Sequence, residues 1–297
     1  MTVARNLTVT TPDGVTLAVQ DHPGPGPTIV AVHGYPDDHH VWDGVVAELT
    51  ERFRVVTYDV RGAGSSSTPS GRRSYRIDRL AADLGAVIDH VAGDEPVHLL
   101  AHDWGSIQTW GLVTDPAWSS RLLSYSSISG PDLDMVGVWL RGLRERPRAI
   151  ARQLLDSYYV ALFQLPAVPE AVIRLGVLDR FVRHSARHGL PKDAVVRDRS
   201  RSDAEAGLAL YRANFLPRLA RPRPRRTTVP VQVLAPTDDL HVDSEMQRTA
   251  PAPWCESLAT LEIPGNHWVV EHSPALVAGH VARFIDEMTG KADVALF

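Results

Sequence analysis

The chain has 297 residues, of which 44% are hydrophobic and 22% are charged, with a single cysteine, Cys255. This composition is typical of a globular protein with a substantial core, and one cysteine excludes an intramolecular disulfide. No stretch approaches the ~18 consecutive apolar residues of a membrane-spanning helix. The first residues also lack the apolar run of a signal peptide, so we expect a cytoplasmic protein without an integral membrane segment.

The net charge of −4 is unevenly distributed along the chain. Residues 131–226 contain 19 Lys and Arg against 10 Asp and Glu, a net charge of +9, whereas the remaining residues carry −13. Such a basic segment is typical of a solvated face or of a surface that meets an anionic partner. Because aromatic residues do not alternate with the basic ones, we interpret it as a solvated face and expect no nucleic-acid binding.

The first part of the chain alternates predicted strands with predicted helices. A hairpin is predicted over residues 6–21. It is followed by strands over 28–32, 54–58, 97–101 and 122–128, and by helices over 42–49, 76–91 and from 106 to about 114. This alternation indicates an α/β fold with a mostly parallel sheet that has helices on both faces.

The alternation stops at Ser129-Gly130-Pro131. Residues 131–226 show no strand pattern and are predicted to form several helices, ending at the proline-punctuated sequence R-P-R-P-R-R. The alternation then resumes with strands over 229–234 and 258–263 and helices from about 244 and over 274–288. We therefore predict a core of residues 1–130 and 227–297 with an inserted helical cap of residues 131–226. The last seven residues are expected to fray.

The stretch Val97–Ser106, V-H-L-L-A-H-D-W-G-S, joins a predicted buried strand to a helix through a sharp turn. A reactive residue at the tip of such a turn forms a nucleophile elbow, usually G-x-S-x-G. Here Asp103 takes the place of the serine, between the small residues Ala101 and Gly105 that a tight turn requires. Asp103 is therefore either a carboxylate nucleophile or only an N-cap of the following helix.

Candidate partners for Asp103 follow two later strands. Side chains at the carboxyl ends of parallel strands meet at one edge of the sheet. Asp238 and Asp239 follow the strand at 229–234, and His267 follows the strand at 258–263. The order nucleophile, acid, base is that of an α/β-hydrolase triad. Counting from the strand start favours Asp239 over Asp238 as the acid.

Two other motifs are interpreted as structural. Residues 37–40, D-D-H-H, contain possible metal ligands, but they are consecutive and have no spaced partner, so we predict the polar start of a helix and no metal. Residues 61–67, R-G-A-G-S-S-S, match part of a dinucleotide-binding motif but lack its third glycine. We therefore expect no cofactor.

Taken together, these motifs resemble those of the epoxide hydrolases of the α/β-hydrolase superfamily, and the resemblance covers nearly the whole chain. The matching core segments are H-G-Y-P (33–36), R-G-A-G-S-S (61–66), H-D-W-G-S (102–106), T-D-D-L (237–240) and G-N-H-W (265–268). In the predicted cap, Y-V-A-L-F-Q (159–164) and Y-R-A-N (211–214) are similar to two tyrosine motifs of the family. The resemblance is to actinobacterial-type epoxide hydrolase domains in particular.

The resemblance implies a reaction in which a carboxylate attacks an epoxide carbon. A carboxylate suits this step because it is already ionised at neutral pH. Asp103 would form an ester with the substrate, and His267, oriented by Asp239, would activate the water that hydrolyses the ester to release a diol. Tyr159 and Tyr211 from the cap would activate the epoxide oxygen.

The same resemblance implies how the cleft is lined. The backbone N–H groups of Tyr35 and Trp104 would form the oxyanion hole. Trp104, Pro36, Phe163 and Trp268 would contact the substrate, and the Tyr35–Pro36 bond would be cis. The expected partner is a small-molecule epoxide, and we expect a monomer or a homodimer.

Other functions remain open at this point. A haloalkane or haloacid dehalogenase uses the same kind of triad but needs N–H donors for the halide, and the chain offers Trp104 with Trp139 as the only tryptophan of the predicted cap. A catalytically silent hydrolase-fold protein would instead bind a ligand or partner through its basic cap. Ester hydrolysis by a serine is disfavoured because Ser106 lies beyond the tip of the elbow.

Overall fold

The structure is a computed structural model that describes residues 4–290; residues 1–3 and the predicted fraying tail, 291–297, lie outside the described residues. Eight strands form one sheet: β1 (Arg5–Thr10), β2 (Thr16–His22), β3 (Thr28–Val32), β4 (Arg54–Tyr58), β5 (Val97–His102), β6 (Leu122–Ile128), β7 (Val231–Pro236) and β8 (Leu258–Ile263). Their order is β1-β2-β4-β3-β5-β6-β7-β8. The β1–β2 and β2–β4 pairs are antiparallel and all other pairs are parallel, which confirms the predicted mostly parallel sheet.

Twelve α-helices accompany the sheet in the described part of the chain. They are α1 (Asp43–Leu49), α2 (Ile77–Ala92), α3 (Trp104–Val113), α4 (Leu133–Trp139), α5 (Pro147–Asp156), α6 (Tyr158–Phe163), α7 (Val168–Arg174), α8 (Val177–Ala186), α9 (Arg201–Ala220), α10 (Ser244–Thr249), α11 (Val269–His272) and α12 (Pro274–Met288). None of these helices combines the length and the apolar character that crossing a membrane requires.

The sheet is buried on both faces because successive side chains of a strand point to opposite sides. In β3, Ile29 and Ala31 pack into one hydrophobic cluster, which includes Trp42 beside α1 and Val277 of α12. Val30 and Val32 of the same strand pack into a second cluster with α2. Continuous apolar strands such as β3 and β5 are the consequence of this two-sided burial.

Several predicted boundaries differ from those observed, and three of them have a local cause. Helix α3 begins at Trp104, directly after the turn, because the Ile107 N–H group already bonds to the Asp103 carbonyl. Strand β7 begins at Val231, where its pairing with Leu258 of β8 starts. A 3-10 turn over His39–Trp42 precedes α1 and takes Asp38 as its N-cap.

The connection between β6 and β7 contains helices α4 to α9 and none of the strands of the sheet. An ion-pair network fastens this connection to the core. Arg199 bonds to Asp37 at 2.9 Å and to Glu271 at 2.7 Å, and Arg197 bonds to Asp38 at 2.6 Å. Part of the basic charge of this segment is therefore neutralised by carboxylates of the core.

Candidate active site

Asp103 lies at the tip of the turn between β5 and α3. Its backbone has φ 51° and ψ −124°, a conformation that a non-glycine residue adopts only when the surroundings impose it. The turn also packs tightly against β3, because a Cβ atom at Gly105 would lie 2.1 Å from the Val32 carbonyl oxygen. The predicted strand, sharp turn and helix are therefore present, with a carboxylate at the tip.

The two carboxylate oxygens of Asp103 have different neighbours. Oδ1 accepts a hydrogen bond of 2.7 Å from the backbone N–H group of Tyr35. Oδ2 lies 3.5 Å from Nε2 of His267. The Trp104 N–H group belongs to the first turn of α3 and so has no intrahelical acceptor. The Tyr35–Pro36 bond is cis, as the resemblance implied.

His267, which contacts Asp103 through Nε2, contacts Asp239 through Nδ1. Nδ1 of His267 lies 3.0 Å and 3.1 Å from the two carboxylate oxygens of Asp239, whose side chain is completely buried. Asp239 also accepts hydrogen bonds from the backbone N–H groups of His241 and Val242. Asp238 is exposed, and its N–H group bonds to the Gly265 carbonyl. Of the two candidate acids, Asp239 is the one in contact with His267.

The charges of Asp103, His267 and Asp239 strongly influence one another. Burial on its own would lower the pKa of His267, but the carboxylates of Asp239 and Asp103 outweigh it and raise that pKa to about 10. Burial likewise opposes ionisation of Asp239, yet the charge of His267 and the hydrogen bonds it receives hold its pKa below the usual range. His267 is therefore an imidazolium at neutral pH, held between two carboxylates.

Two tyrosines face this arrangement from the helices between β6 and β7. Tyr159 lies on α6 and Tyr211 on α9, and their ring centroids are 6.1 Å apart. Tyr211 packs edge-on against Trp104 at 4.9 Å and Tyr35 at 5.3 Å. Burial raises the pKa of both phenols, and the negative charge of Asp103 adds to this effect. Both therefore remain neutral O–H donors.

Two cavities meet at Asp103. The narrow cavity, of about 30 Å³, opens toward His267, and the wide cavity, of about 280 Å³, opens toward α5 and α6. Four residues line both of them: Asp103, Tyr159, Tyr211 and His241. Of the predicted substrate contacts, Pro36, Phe163 and Trp268 line the narrow cavity and Trp104 lines the wide one.

The sequence analysis missed His241. Its ring lies 4.8 Å from that of His267 and 5.7 Å from that of Tyr159, between centroids. Burial, aided by the charge of His267, lowers the pKa of His241 to about 4, so its ring is neutral. The only sequence signal is its position two residues after Asp239, and this does not reveal where the ring points.

Ser106, which a serine esterase would need, and Trp139, which a dehalogenase would need, both lie away from the cavities at Asp103. Ser106 is completely buried and bonds to Tyr125 and Ser127 at 2.6 Å, away from the tip of the elbow. The indole N–H of Trp139 donates to Thr249 at 2.8 Å. Neither side chain lines the cavities at Asp103.

Both motifs interpreted as structural have structural partners. Arg61 is buried and bonds to Asp83 and Asp13, which fixes the loop at 61–67. In the D-D-H-H segment, Asp37 pairs with Arg199 and accepts from the indole N–H of Trp268. Within residues 4–290, no group of three or more His, Cys, Asp or Glu side chains is arranged to hold a metal ion.

Comparison with known proteins identifies the class to which this fold and site belong. A family model described as alpha/beta hydrolase fold matches residues 27–274. The chain therefore belongs to the alpha/beta hydrolase fold family, and the predicted fold class is confirmed.

Individual relatives are more specific than the family model. The chain is 37% identical over 295 residues to "Probable oxidoreductase EphD" of Mycobacterium tuberculosis, covering 95% of this chain and 50% of that protein. It thus spans about half the length of that relative. It is 25% identical over 281 residues to human "Epoxide hydrolase 4", covering 90% of this chain and 74% of that protein.

A solved structure shows the same fold. The epoxide hydrolase of Bacillus megaterium, in complex with an inhibitor, superposes with a TM-score of 0.76 and 22% identity. The match covers 95% of this chain and all of that chain. The resemblance to epoxide hydrolases that the motifs indicated is confirmed by these relatives.

Proposed function

We propose that this protein is an epoxide hydrolase that converts an epoxide to a vicinal diol through an ester on Asp103. The observation that carries this proposal is a carboxylate, not a serine, at the tip of the elbow, with His267 3.5 Å from one of its oxygens and two phenols lining the same space. A carboxylate can attack an sp³ carbon without first losing a proton.

In the first step, Oδ2 or Oδ1 of Asp103 attacks one epoxide carbon and forms a C–O bond. The bond between that carbon and the epoxide oxygen breaks, and the electron pair stays on the oxygen. Tyr159 and Tyr211 donate hydrogen bonds to the alkoxide that develops. Because this charge is absent from the bound substrate, the two phenols stabilise the transition state more than the ground state.

The proton that the alkoxide finally holds comes, in net terms, from His267. Its pKa of about 10 makes His267 an imidazolium before the reaction. Once Asp103 becomes a neutral ester, one of the two carboxylates that support the imidazolium is lost, so the pKa of His267 falls. His267 can then release its proton to the alkoxide and become the neutral base that the next step needs.

In the second step, neutral His267 takes a proton from water, and the resulting hydroxide attacks the carbonyl carbon of the Asp103 ester. The Tyr35 N–H group, which already contacts Oδ1 of Asp103 at 2.7 Å, and the Trp104 N–H group stabilise the oxyanion. Collapse releases the diol and restores the carboxylate and the imidazolium, so protons and charges balance over one turnover.

We further propose that residues 131–226 act as a cap over a core of residues 1–130 and 227–297. Tyr159 and Tyr211 enter the site from this segment, and Arg199 ties it to Asp37 and Glu271 of the core. A cap that supplies the phenols also excludes bulk water from the ester until His267 is ready to activate one molecule. A cytoplasmic location remains a prediction from the sequence.

The dehalogenase alternative is less well supported. Halide binding needs two N–H side chains near the leaving group, and the indole of Trp139 is occupied by Thr249. The paired phenols, in contrast, match the needs of an epoxide oxygen, which must gain a hydrogen bond or a proton as the ring opens.

The test is an assay of the purified chain against styrene-type, linear aliphatic and long-chain epoxides, with chloroalkanes alongside. We expect vicinal diols from at least one epoxide class, no halide release, and complete loss of diol formation in Asp103→Asn. Halide release without diol formation would overturn the proposal, and so would diol formation that survives Asp103→Asn.

A further inference from the structure

The large apolar side chains that water reaches are concentrated in the segment between β6 and β7. Of the strongly exposed ones among the described residues, all except Leu240 and Met288 belong to this segment. Around α5 they follow one another closely in the chain: Leu143 is 57%, Leu154 59%, Leu155 74% and Tyr158 60% exposed. Exposed apolar residues that cluster in this way mark an interaction surface.

The same stretch is basic. Residues 141–158 contain five Arg and only two acidic residues. Arg144 and Arg148 are exposed, and neither forms an ion pair with a described residue, unlike Arg199, which is tied to the core. Arg152 reaches Asp243 at 3.2 Å, yet 64% of its side chain is exposed. The positive charge of this stretch is therefore available to an anionic partner.

Helix α5 carries both properties on its outer side. Its buried residues are Ala149, Ile150 and Gln153. Residues three, four or seven positions apart share one side of an α-helix, so Leu155 lies beside Arg148 and Arg152, on the side away from the buried residues. A helix that exposes leucine together with arginine is typical of one that lies in the interface of an anionic membrane.

The wide cavity opens at the same place. Leu154 and Tyr158 line this cavity although more than half of each residue is exposed, so they stand at its mouth, and Leu216 of α9 does the same at 58% exposure. The buried apolar residues of its wall include Leu133, Val136 and Met246. A surface seated against α5 would therefore cover the mouth of an apolar cavity that leads to Asp103.

We propose that residues 141–158, which we call the α5 face, dock on an anionic lipid bilayer. The exposed leucines and Tyr158 enter the apolar boundary of the bilayer, and Arg144, Arg148 and Arg152 bind the lipid phosphates. A bilayer fits this face because it offers phosphates to the arginines and an apolar phase to the leucines and to the cavity mouth.

Docking on a bilayer does not depend on the proposed epoxide hydrolase function. One consequence of docking does rest on that function, namely that apolar epoxides dissolved in the bilayer enter the wide cavity through the mouth at Leu154 and Tyr158. The binding experiment that tests the α5 face therefore uses no epoxide.

The test is sedimentation of the purified chain with vesicles of phosphatidylcholine alone and with vesicles that also contain phosphatidylglycerol. The wild type should bind the anionic vesicles at least about tenfold more tightly than the neutral ones, and added salt should weaken this binding. Arg144→Glu together with Arg148→Glu should weaken it by roughly tenfold or more. Leu143→Ser together with Leu155→Ser should also weaken it, because less apolar surface enters the bilayer.

Arg79→Glu together with Arg283→Glu is the matched control. These two arginines are exposed on α2 and α12, outside the α5 face, and their replacement changes the net charge by the same amount. This variant should bind anionic vesicles nearly as tightly as the wild type. Thermal unfolding of every variant checks that a loss of binding does not come from a loss of folded protein.

Each outcome decides for or against the α5 face. Equal binding of the wild type to both kinds of vesicle, or binding to neither, would overturn it, and so would an equal loss in the control variant. Concentration-dependent dimerisation without vesicle binding would assign the face to a second copy of the chain instead. Vesicle binding by a wild type that opens no epoxide would support the docking face while the proposed function fails.

Discussion

Nε2 of His267 lies 3.5 Å from Oδ2 of Asp103, and both side chains are almost completely buried. This contact makes the protonation state of the imidazole depend on whether Asp103 is an anion or an ester. In the proposed mechanism, the same histidine is an imidazolium when the epoxide binds and a base once the ester has formed. The alternation needs no further protein group, because the change on Asp103 itself drives it.

The first prediction concerns the pKa of His267. In the free wild-type protein, nitrogen NMR should show both ring nitrogens protonated up to about pH 10. Asp103→Asn removes one of the two supporting carboxylates, so the midpoint should fall by more than one pH unit toward the ordinary value near ~6.5. An unchanged midpoint in Asp103→Asn would show that Asp103 does not control the imidazole.

The same pKa shift has a consequence for stability. Because folding raises the pKa of His267, its charge contributes fully to the free energy of unfolding below the unfolded-state pKa, ~6.5, and this contribution is lost as pH rises to about 10. Denaturant titrations of wild type and His267→Gln should therefore differ less at high pH than at neutral pH.

The second prediction concerns the covalent intermediate. His267→Gln keeps the Asp103 carboxylate but removes the base, so alkylation should continue, with the alkoxide taking its proton from water instead of from His267, and hydrolysis should stall. Mass spectrometry of this variant after incubation with a good epoxide should show one substrate mass added to the peptide that contains Asp103. The Asp103→Asn, His267→Gln double variant, treated in the same way, should show no added mass.

The third prediction concerns the two phenols. Tyr159→Phe and Tyr211→Phe should each lower the rate of alkylation, near the low end of the ~10²–10⁴ range for general-acid groups, because the remaining phenol still contacts the same oxygen. The double variant should lose much more, and the losses need not add. Stopped-flow measurements under single-turnover conditions separate alkylation from ester hydrolysis, which should be less affected.

Tyr75→Phe is the control for the phenols, since the hydroxyl of Tyr75 is buried without a partner and lies outside both cavities. Its rate of alkylation should stay near that of the wild type. If the Tyr159→Phe, Tyr211→Phe double variant also alkylates at a near-native rate, the two tyrosines only pack the cap, and halide release would have to be tested again.

The fourth prediction concerns the packing of α9 on the core. A Cβ atom at Gly207 would lie 2.2 Å from the ring of Tyr35, which is fixed by a 2.8 Å hydrogen bond to the Ala204 carbonyl. Gly207→Ala must therefore displace either this ring or the helix that carries Tyr211 one turn later. We expect a loss of about 1–3 kcal/mol in the free energy of unfolding and a lower rate of alkylation.

The matched control for Gly207 is Gly279→Ala in α12, where an added Cβ meets no atom within 4 Å. There the substitution should stabilise the protein by up to ~1 kcal/mol, because alanine is the better helix former. Equal stability and activity of the two variants would show that the contact between α9 and Tyr35 does not position Tyr211.

The sequence predicted the core of this fold closely because its signals are local. Strands β6 and β8 and helix α12 have the predicted bounds, and the elbow follows from a short pattern around Asp103. The order Asp103, Asp239, His267 could be predicted because parallel strands bring their ends to one edge. Asp238 and Asp239 are adjacent in the chain, and the pattern only favoured one of them.

The cavity could not be predicted from the sequence. Tyr159 and Tyr211 are more than fifty residues apart in the chain. Their closeness depends on how α6 packs against α9. Such properties arise from non-local packing, and no spacing rule in a single sequence expresses them.

The most direct test of the covalent mechanism is a single turnover, with enzyme in excess over epoxide, in water labelled with oxygen-18. If Asp103 attacks the ring, the oxygen added to the substrate comes from its carboxylate, so the diol of the first turnover should contain no label. The label should appear in Asp103 and reach the diol only in later turnovers. A first-turnover diol that carries the label would mean that water attacks the epoxide directly, which would contradict the ester on Asp103.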